Sequence, residues 1–444
     1  MKTKIITLAL MLAVLMPAQA EKREKYSWDK DLKHRLLRDF RRSHEEVKQY
    51  IQRYLPYVTD EEMNHWEQTR ALETMVIDGR KLYFRNAGPN LFRIDSACVA
   101  LKEYAEGPII SSSEKVYKEN VPLILKEASA SLIGLAQPKR MRIHYTLTIV
   151  ADAIPAGEKI RCWLPYPRHD VPRQQDVKFI SASEPKYKFS DPSCVHSTIY
   201  MEKKAQAGRE TQFGVTFEYT SYGQRFDLRP ELIKPYDTSS KLYKEYTSER
   251  EKHIIFTPRL RRLADSLTAG ETNPLLKAKK MFRWINDHYP WASAREYSTL
   301  ENIPMYVLEN NHGDCGQVTL LFVTLCRICG IPAHFQSGFM VNPANWDMHD
   351  WGEIYFEGIG WVPVDQSFGV PAYARNEAEE WFYVGGIDSW RLVVNSDYGM
   401  PLSPKKKYPR SETVDFQRGE VEWAGGNIYF DQWDYNMDID FLDN

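Results

Sequence analysis

The spacing of hydrophobic and polar positions divides the chain into regions. Between 29 and 135, apolar residues recur at the spacing of one helix face, and Pro56 ends the first such run. Thr59 has the position of a helix start, and Asp78-Gly79 lies between two apolar stretches as the turn of a β-hairpin. These patterns predict a mainly helical N-terminal region over 21–137. The apolar positions of the first run are Leu32, Leu36, Leu37, Phe40, Val47, Tyr50, Ile51 and Leu55.

Beyond Pro138 the period of the pattern changes to two. Apolar and polar residues alternate over 141–149 and again over 213–219. Shorter segments of strand character lie between these runs, around 160–164, 177–180 and 198–201. Alternating strands at short spacing are typical of antiparallel sandwiches, so we expect a β-sandwich domain over 138–225.

Helical spacing returns in the following region, over 258–267 and 274–288, where each predicted helix carries a proline near its first turn. A compact α+β core is predicted over 226–370. The remaining 371–444 is rich in aromatic residues, and we expect it to pack on the core as an extension. The overall fold class is therefore α+β.

The first twenty residues have the order of a secretory signal. Lys2 and Lys4 precede an apolar run of 12 residues, and Pro17-Ala18-Gln19-Ala20 follows as a cleavage region. Spanning a bilayer takes roughly 17–25 apolar residues, so this run is short for an anchor. We expect export to the periplasm or the cell exterior, cleavage after Ala20 and no stable membrane span afterwards.

The composition of the chain limits the classes of partner and of scaffold that can be expected. Lys and Arg number 58 against 60 Asp and Glu, so no basic excess favours a nucleic-acid partner. Hydrophobic residues make up 43% of the chain, enough to build large cores. Six cysteines are too few for a disulfide-stapled scaffold. Spacing does not decide whether Cys98, Cys162 and Cys194 include a disulfide.

The segment around Cys315 carries the candidate chemistry. Apolar residues at helical spacing follow it, and Gly330 is placed to end that helix. Cys315 is therefore predicted at a helix N-terminus, where unpaired amides and the helix dipole are expected to lower the pKa of its thiol. Gly313 and Gly316 leave room for a substrate backbone.

A histidine and an aspartate complete a possible triad. His349 lies on a predicted strand, the turn at 358–360 follows, and Asp365 comes at the end of the next strand. Neighbouring strands would place His349 beside Asp365, facing the helix of Cys315. Such a set provides a nucleophile, a base that takes its proton, and a carboxylate that orients the imidazole.

Four short segments together resemble the transglutaminase-like superfamily, whose core is related to papain-like cysteine proteases. The resemblance is strongest over 274–370, and the strand-rich 138–225 also resembles the β-domain preceding this core in bacterial members. It implies that Cys315 is the nucleophile, His349 the general base and acid, and Asp365 the orienting acid. The segments are Gly-Asp-Cys-Gly at 313–316, Gly-Ile-Pro-Ala at 330–333, His349-x-Trp351-x-Glu353-x-Tyr355, and Gly-Trp-Val-Pro-Val-Asp at 360–365.

Other candidates are weaker. The backbone amide of Cys315 could stabilise an oxyanion, and Trp291 is a candidate for a second donor. Cys326 and Cys329 fall in the last turns of a helix, which favours packing over redox or metal chemistry. The aspartates near the C-terminus lack the spacing of an EF-hand loop and are expected to be solvated. No cofactor or metal is expected.

The triad leaves the fate of its thioester open. Water would give a peptidase or amidase acting on a peptide, protein or cell-wall peptide, and this hydrolysis is the leading prediction. An amine would give a transglutaminase, and a non-catalytic binding or scaffold protein is the third alternative. The region 21–137 could be a separable accessory or occluding domain, or a layer packed permanently on the core. The oligomeric state stays open.

Overall fold

The computed structural model describes residues 26–108 and 111–442, so the predicted signal at 1–20 lies outside the described residues. In the N-terminal region, helices surround a small antiparallel sheet of strand order β1-β3-β2. The helices are α1 (Trp28–Asp39), α2 (His44–Ile51), α3 (Asp60–Gln68), α4 (Ala87–Ile94), α5 (Ser96–Glu106) and α6 (Glu114–Glu127). The strands are β1 (Phe40–Arg42), β2 (Thr74–Ile77) and β3 (Arg80–Phe84).

Two short sequence patterns predicted elements of this region correctly. The hairpin of β2 and β3 turns at Asp78 and Gly79, both with positive φ, as a two-residue hairpin turn requires. Thr59 caps α3, since its side chain accepts the Glu62 N–H and the Glu62 side chain accepts the Thr59 N–H.

The prediction of one helical run ending at Pro56 was wrong. Helix α1 ends at Asp39, the strand β1 follows, and a capping box between Ser43 and Glu46 starts α2. Phe40 is fully buried and pairs with Phe84 across the sheet. Burial of Phe40 in the small sheet therefore interrupts a pattern that is helical on both sides.

The predicted strands of the β-domain are present, with the expected alternation. Met141, Ile143, Tyr145, Leu147 and Ile149 are all buried on one face of the first strand. The strands are β4 (Leu135–Ile149), β5 (Lys159–Pro165), β6 (Gln174–Ala182), β7 (Tyr187–Phe189), β8 (Thr198–Lys204) and β9 (Thr211–Arg225).

The next region packs helices on an antiparallel sheet. Its helices are α7 (Lys241–Tyr246), α8 (Pro258–Thr268), α9 (Pro274–His288), α10 (Ile303–Asn310) and α11 (Cys315–Ile328). Its first strands are β10 (Ala333–Asn342), β11 (Asn345–Phe356) and β12 (Gly360–Val364). Helix α11 is almost wholly buried and packs on β10 and β11. This packing fixes the position of Cys315 relative to the sheet.

The tail adds strands to the core sheet and to both sandwich sheets, where we expected it to pack on the core as an extension. Its elements are α12 (Glu377–Glu380), β13 (Gly386–Ile387), β14 (Arg391–Asn395), β15 (Glu420–Trp423), β16 (Gly426–Ile428) and β17 (Trp433–Phe441). The core sheet has the order β12-β11-β10-β14. The sandwich sheets run β13-β9-β4-β17, with β6 also on β9, and β16-β15-β5-β8-β7.

The physical reason is that β4 and β5 each leave an edge of unpaired backbone groups. Strand β17 pairs with β4 and strand β15 with β5. The predicted span 138–225 thus lacks strands that complete the sandwich. Trp390 and Trp433 are buried in its core, as the packing expectation for the tail aromatics requires.

The N-terminal region contacts the rest of the chain through buried polar groups. Arg35, which is 3% exposed, donates to the carbonyls of Arg410 and Ser411 and to the hydroxyl of Tyr429. The carboxylate of Asp39 accepts the backbone N–H of Glu296 at 2.8 Å. Such contacts favour a permanently packed layer over a separable domain.

An Asp39→Asn variant is expected to gain stability relative to the parent as the pH rises. Burial and the negative charge of Glu296 raise the pKa of Asp39 to about 7. The charge of Arg85 and the hydrogen bond from the Glu296 N–H oppose this rise but are weaker. Because this pKa lies above that of the unfolded chain, the native state binds the extra proton, and stability falls between about pH 4 and pH 7. The asparagine side chain does not titrate, so the variant loses no stability in this way, and its side-chain oxygen can still accept the Glu296 N–H.

Urea unfolding at pH 5 and pH 8 measures this difference. The stability gap between variant and parent should widen by about 2 kcal/mol from the lower to the higher pH. Asp29→Asn, an exposed position on the same helix, is the matched control. A gap that is equal at both pH values would contradict the prediction.

Candidate active site

Cys315 is the first residue of α11, as predicted. Asp314 caps the helix, since its carboxylate accepts the Gln317 N–H at 3.0 Å while the Gln317 side chain accepts the Asp314 N–H at 3.1 Å. Cys315 itself is half-buried. A side chain at Gly316 would collide with the hydroxyl of Tyr297 and the carboxylate of Asp350, so this position has space only for glycine. The sequence between 313 and 317 therefore both starts the helix and clears its end.

His349 and Asp365 lie side by side, also as predicted. The Nε2 of His349 is 2.8 Å from Oδ2 of Asp365. Asp365 is fully buried, accepts the Phe368 N–H at 3.0 Å and forms an ion pair with Arg391 at 2.9 Å. Burial alone would raise the pKa of Asp365, but His349 and Arg391 hold that pKa below its ordinary value. The imidazole is thus anchored through Nε2, which leaves Nδ1 as the nitrogen available for chemistry.

The thiol has a different hydrogen-bond partner from the one expected. Sγ of Cys315 donates to Oδ2 of Asp350 at 3.5 Å, and among the described residues no hydrogen bond joins Sγ to His349. Successive side chains of a strand leave on opposite faces, so His349 and Asp350 point away from each other. Helix α11 packs on the face of Asp350, and the prediction that His349 faces this helix was therefore wrong. The structure therefore joins two of the three predicted residues directly and gives the third an acidic neighbour.

The expected lowering of the Cys315 pKa is wrong for this arrangement. Burial, followed by the charges of Asp350 and Asp314, raises the pKa of the Cys315 thiol well above its ordinary value. Burial also raises the pKa of Asp314 to about 6. The helix terminus favours an anion, but desolvation and two adjacent carboxyl groups outweigh it. These surroundings therefore favour the neutral thiol of Cys315.

A cavity of about 280 Å³ opens on Cys315. One wall is the segment 291–297, a second is formed by the segment 411–418, and Arg85 and Asn86 of the N-terminal region contribute a third. We call the segment 411–418, which precedes β15, the covering loop. The cavity therefore brings together three parts of the chain that are far apart in sequence.

Trp291 lies at the rim of this cavity. Its side chain is 48% exposed, and the guanidinium of Arg93 stacks on its ring at 4.9 Å. The backbone of the next residue, Ala292, donates to the carbonyl of Gly313 at 3.1 Å, which ties this segment to the loop before Cys315. The predicted oxyanion candidate is thus adjacent to the cysteine loop.

Sequence reasoning missed Asp350, Tyr297 and Gln417, all of which line the cavity. No pattern around Asp350 or Gln417 marks them, since their contacts join distant segments. The remaining cysteines carry no disulfide, and all six are free thiols. Cys326 is buried within α11, in line with the packing expectation. The C-terminal aspartates Asp434, Asp438 and Asp440 lie on the exposed face of β17.

Comparison with known families supports the sequence resemblance. Residues 261–366 match the family described as the transglutaminase-like superfamily. This match confirms the predicted resemblance over the core of the chain. No curated protein matches the sequence.

Solved structures of low sequence identity align with parts of this chain. A provisionally assigned cysteine protease from Cytophaga hutchinsonii is 16% identical, with a TM-score of 0.48 over 70% of this chain and 93% of that chain. The periplasmic domain of TgpA from Pseudomonas aeruginosa is 14% identical, with a TM-score of 0.29 over 56% of this chain and 92% of that one. Within the described ranges, no helix is long and apolar enough to cross a membrane.

Proposed function

We propose that this protein is an exported cysteine enzyme that hydrolyses peptide or isopeptide amide bonds through a thioester on Cys315. The observation that carries the proposal is the His349–Asp365 pair, held at 2.8 Å through Nε2 in the same domain as a cysteine at a helix start. In this proposal the substrate is a peptide, a protein or a cell-wall peptide. Export rests on the signal-like sequence of residues 1–20.

The proposed reaction begins with a rearrangement that takes Sγ from Asp350, on one face of β11, to Nδ1 of His349, whose side chain leaves the other face in this state. Sγ attacks the amide carbonyl carbon while its proton passes to Nδ1. The backbone N–H of Cys315 and the indole N–H of Trp291 are the proposed donors to the oxyanion. His349 then gives the proton to the leaving amine, and the C–N bond breaks to leave a thioester.

Water completes the proposed cycle. His349 takes a proton from a water molecule, whose oxygen attacks the thioester carbonyl, and the C–S bond breaks to release the acid and the thiol. Asp365 orients the imidazole and stabilises its charged form in both halves. Hydrolysis needs no binding site for a second substrate, which is why it leads over amine transfer.

The fate of the thioester can be read from product masses. The full mature chain would be incubated with a mixture of amide-bearing peptides in ¹⁸O-enriched water, with and without a primary amine. Release of amine together with an acid that carries the heavy oxygen supports hydrolysis. Stable adducts of the added amine would instead establish acyl transfer. A protein that binds peptides and leaves their masses unchanged would overturn the enzymatic proposal.

A further inference from the structure

We infer that Asp350 is a positioning residue for Cys315, which holds the resting thiol by a hydrogen bond that must break before His349 can receive the proton. The inference rests on the proposed role of Cys315 as nucleophile. Asp350 is 2% exposed and directly follows His349 on β11. Its side chain points to the face of the sheet on which α11 packs, since the neighbouring even position, Gly352, faces Thr319 and Val323 of that helix.

The hydroxyl of Tyr297 does not compete with the thiol for a hydrogen bond to Oδ2 of Asp350. Tyr297 lies 2.6 Å from Oδ1 of Asp314 and 3.5 Å from Oδ2 of Asp350. A tyrosine hydroxyl has one proton to donate, and the shorter contact directs that proton to Asp314. The S–H of Cys315, at 3.5 Å, is then the donor that faces Oδ2 of Asp350.

Gln417 of the covering loop holds the other oxygen of this carboxyl group. Its Nε2 donates to Oδ1 of Asp350 at 2.9 Å and also faces the carbonyls of His349 at 3.0 Å and Gly338 at 2.8 Å. These acceptors belong to β10 and β11, so a single amide fixes the covering loop and the Asp350 side chain to the same point of the sheet. The orientation of the carboxyl toward Cys315 is therefore set from outside the helix.

The surroundings of Asp350 are acidic. Asp314 faces it from the start of α11, and Glu412 and Asp415 face it from the covering loop. Arg418, a nearby cation of that loop, forms ion pairs with Glu412 at 2.6 Å and with Glu296 at 3.0 Å.

Burial and these acidic neighbours raise the pKa of Asp350 well above its ordinary value. Once Asp350 is ionised, its negative charge disfavours the thiolate, so the proton stays on Sγ until the hydrogen bond is broken. A carboxyl buried without a cation also destabilises the fold, and such groups concentrate at functional sites. The charge and the burial of Asp350 thus assign it a role in setting the protonation of the Cys315 thiol.

Alkylation of Cys315 by iodoacetamide tests the inference without relying on turnover. The rate of modification would be followed by mass spectrometry of the Cys315 peptide between pH 5 and pH 10. Because the thiolate is the reacting form, an Asp350→Asn variant should show its rate midpoint at lower pH and react about tenfold faster at the pH values where Asp350 of the parent is ionised. Asp347→Asn, a carboxylate of the same cavity that does not contact Sγ, should leave the profile within about twofold of the parent.

An Asp350→Asn profile identical to that of the parent would overturn the inference, as would an equal shift in Asp347→Asn. If Asp350→Asn does not fold, infrared difference spectra of the parent against Cys315→Ala give a second test. The S–H stretch should lie at the lower wavenumber of a hydrogen-bonded thiol, whereas a free-thiol position or no S–H band would overturn the inference. Turnover is measured separately, so a failure of the proposed hydrolysis leaves this result readable.

Discussion

A Cys315→Ala variant is expected to fold like the parent protein and to lose all amide turnover. The thiol is the one group at the mouth of the cavity placed to form a thioester, and alanine retains the helix start that Asp314 caps. Substitution of the nucleophile of a triad removes the covalent route entirely, and only the slow contribution of binding and oxyanion stabilisation is left. Product release measured by mass spectrometry, with circular dichroism as the check on folding, gives the result.

Two other cysteines supply matched controls. Cys326→Ser and Cys329→Ser alter thiols at the far end of the same helix and should keep the turnover of the parent per folded molecule. Retained turnover in a folded Cys315→Ala protein would contradict the assignment of this residue as nucleophile. Loss of turnover in the serine variants at unchanged stability would show that the activity depends on a thiol other than Cys315.

An Asp365→Asn variant should have the second largest effect, a fall in kcat of roughly 10²–10⁴-fold. The carboxylate at 2.8 Å fixes Nε2 of His349 as the protonated nitrogen, which leaves Nδ1 free to accept the thiol proton. An amide in its place can present a donor to Nε2 and favour the unproductive tautomer. Measurement of kcat together with the thermal midpoint separates this effect from a loss of folding.

The ion pairs of Arg391 provide a control for stability. Arg391 contacts Asp365 at 2.9 Å, and its Nε–H donates to Oδ2 of Asp388 at 3.0 Å. Asp388→Asn removes a buried partner of the same cation without touching His349, so it should lower the thermal midpoint and leave kcat near that of the parent. A folded Asp365→Asn protein with full kcat would reduce the proposed machinery to a cysteine and a histidine.

Local patterns predicted the elements around the site well. The start of α11 at Cys315 follows from the apolar residues at helical spacing after it and from the glycine that ends the helix, all of which lie within one short segment. The contact of His349 with Asp365 follows from two strands joined by a short turn, because such strands pair with each other. In both cases the decisive interactions lie close together in sequence.

The features that escaped prediction depend on distant contacts. The pairing of β17 with β4 joins segments at opposite ends of the chain, and no periodicity within either strand encodes its partner. Burial and the neighbouring Asp350 raise the pKa of the Cys315 thiol, and Gln417 holds the carboxyl group of Asp350. A helix dipole can be read from a sequence, whereas the burial and the carboxyl groups that outweigh it become visible only in the folded molecule.

The interleaving of the tail with both sheet systems has a consequence for biosynthesis. Strands β4 and β5 leave the ribosome long before β17 and β15, their partners in the finished sheets. During that interval their open edges can pair with other chains, so chaperone protection of the nascent polypeptide is needed most at this stage. The covering loop lies between β14 and β15, and Cys315 is therefore enclosed only at the end of synthesis. The enclosed cavity at Cys315 thus forms late in maturation, after most of the chain has been made.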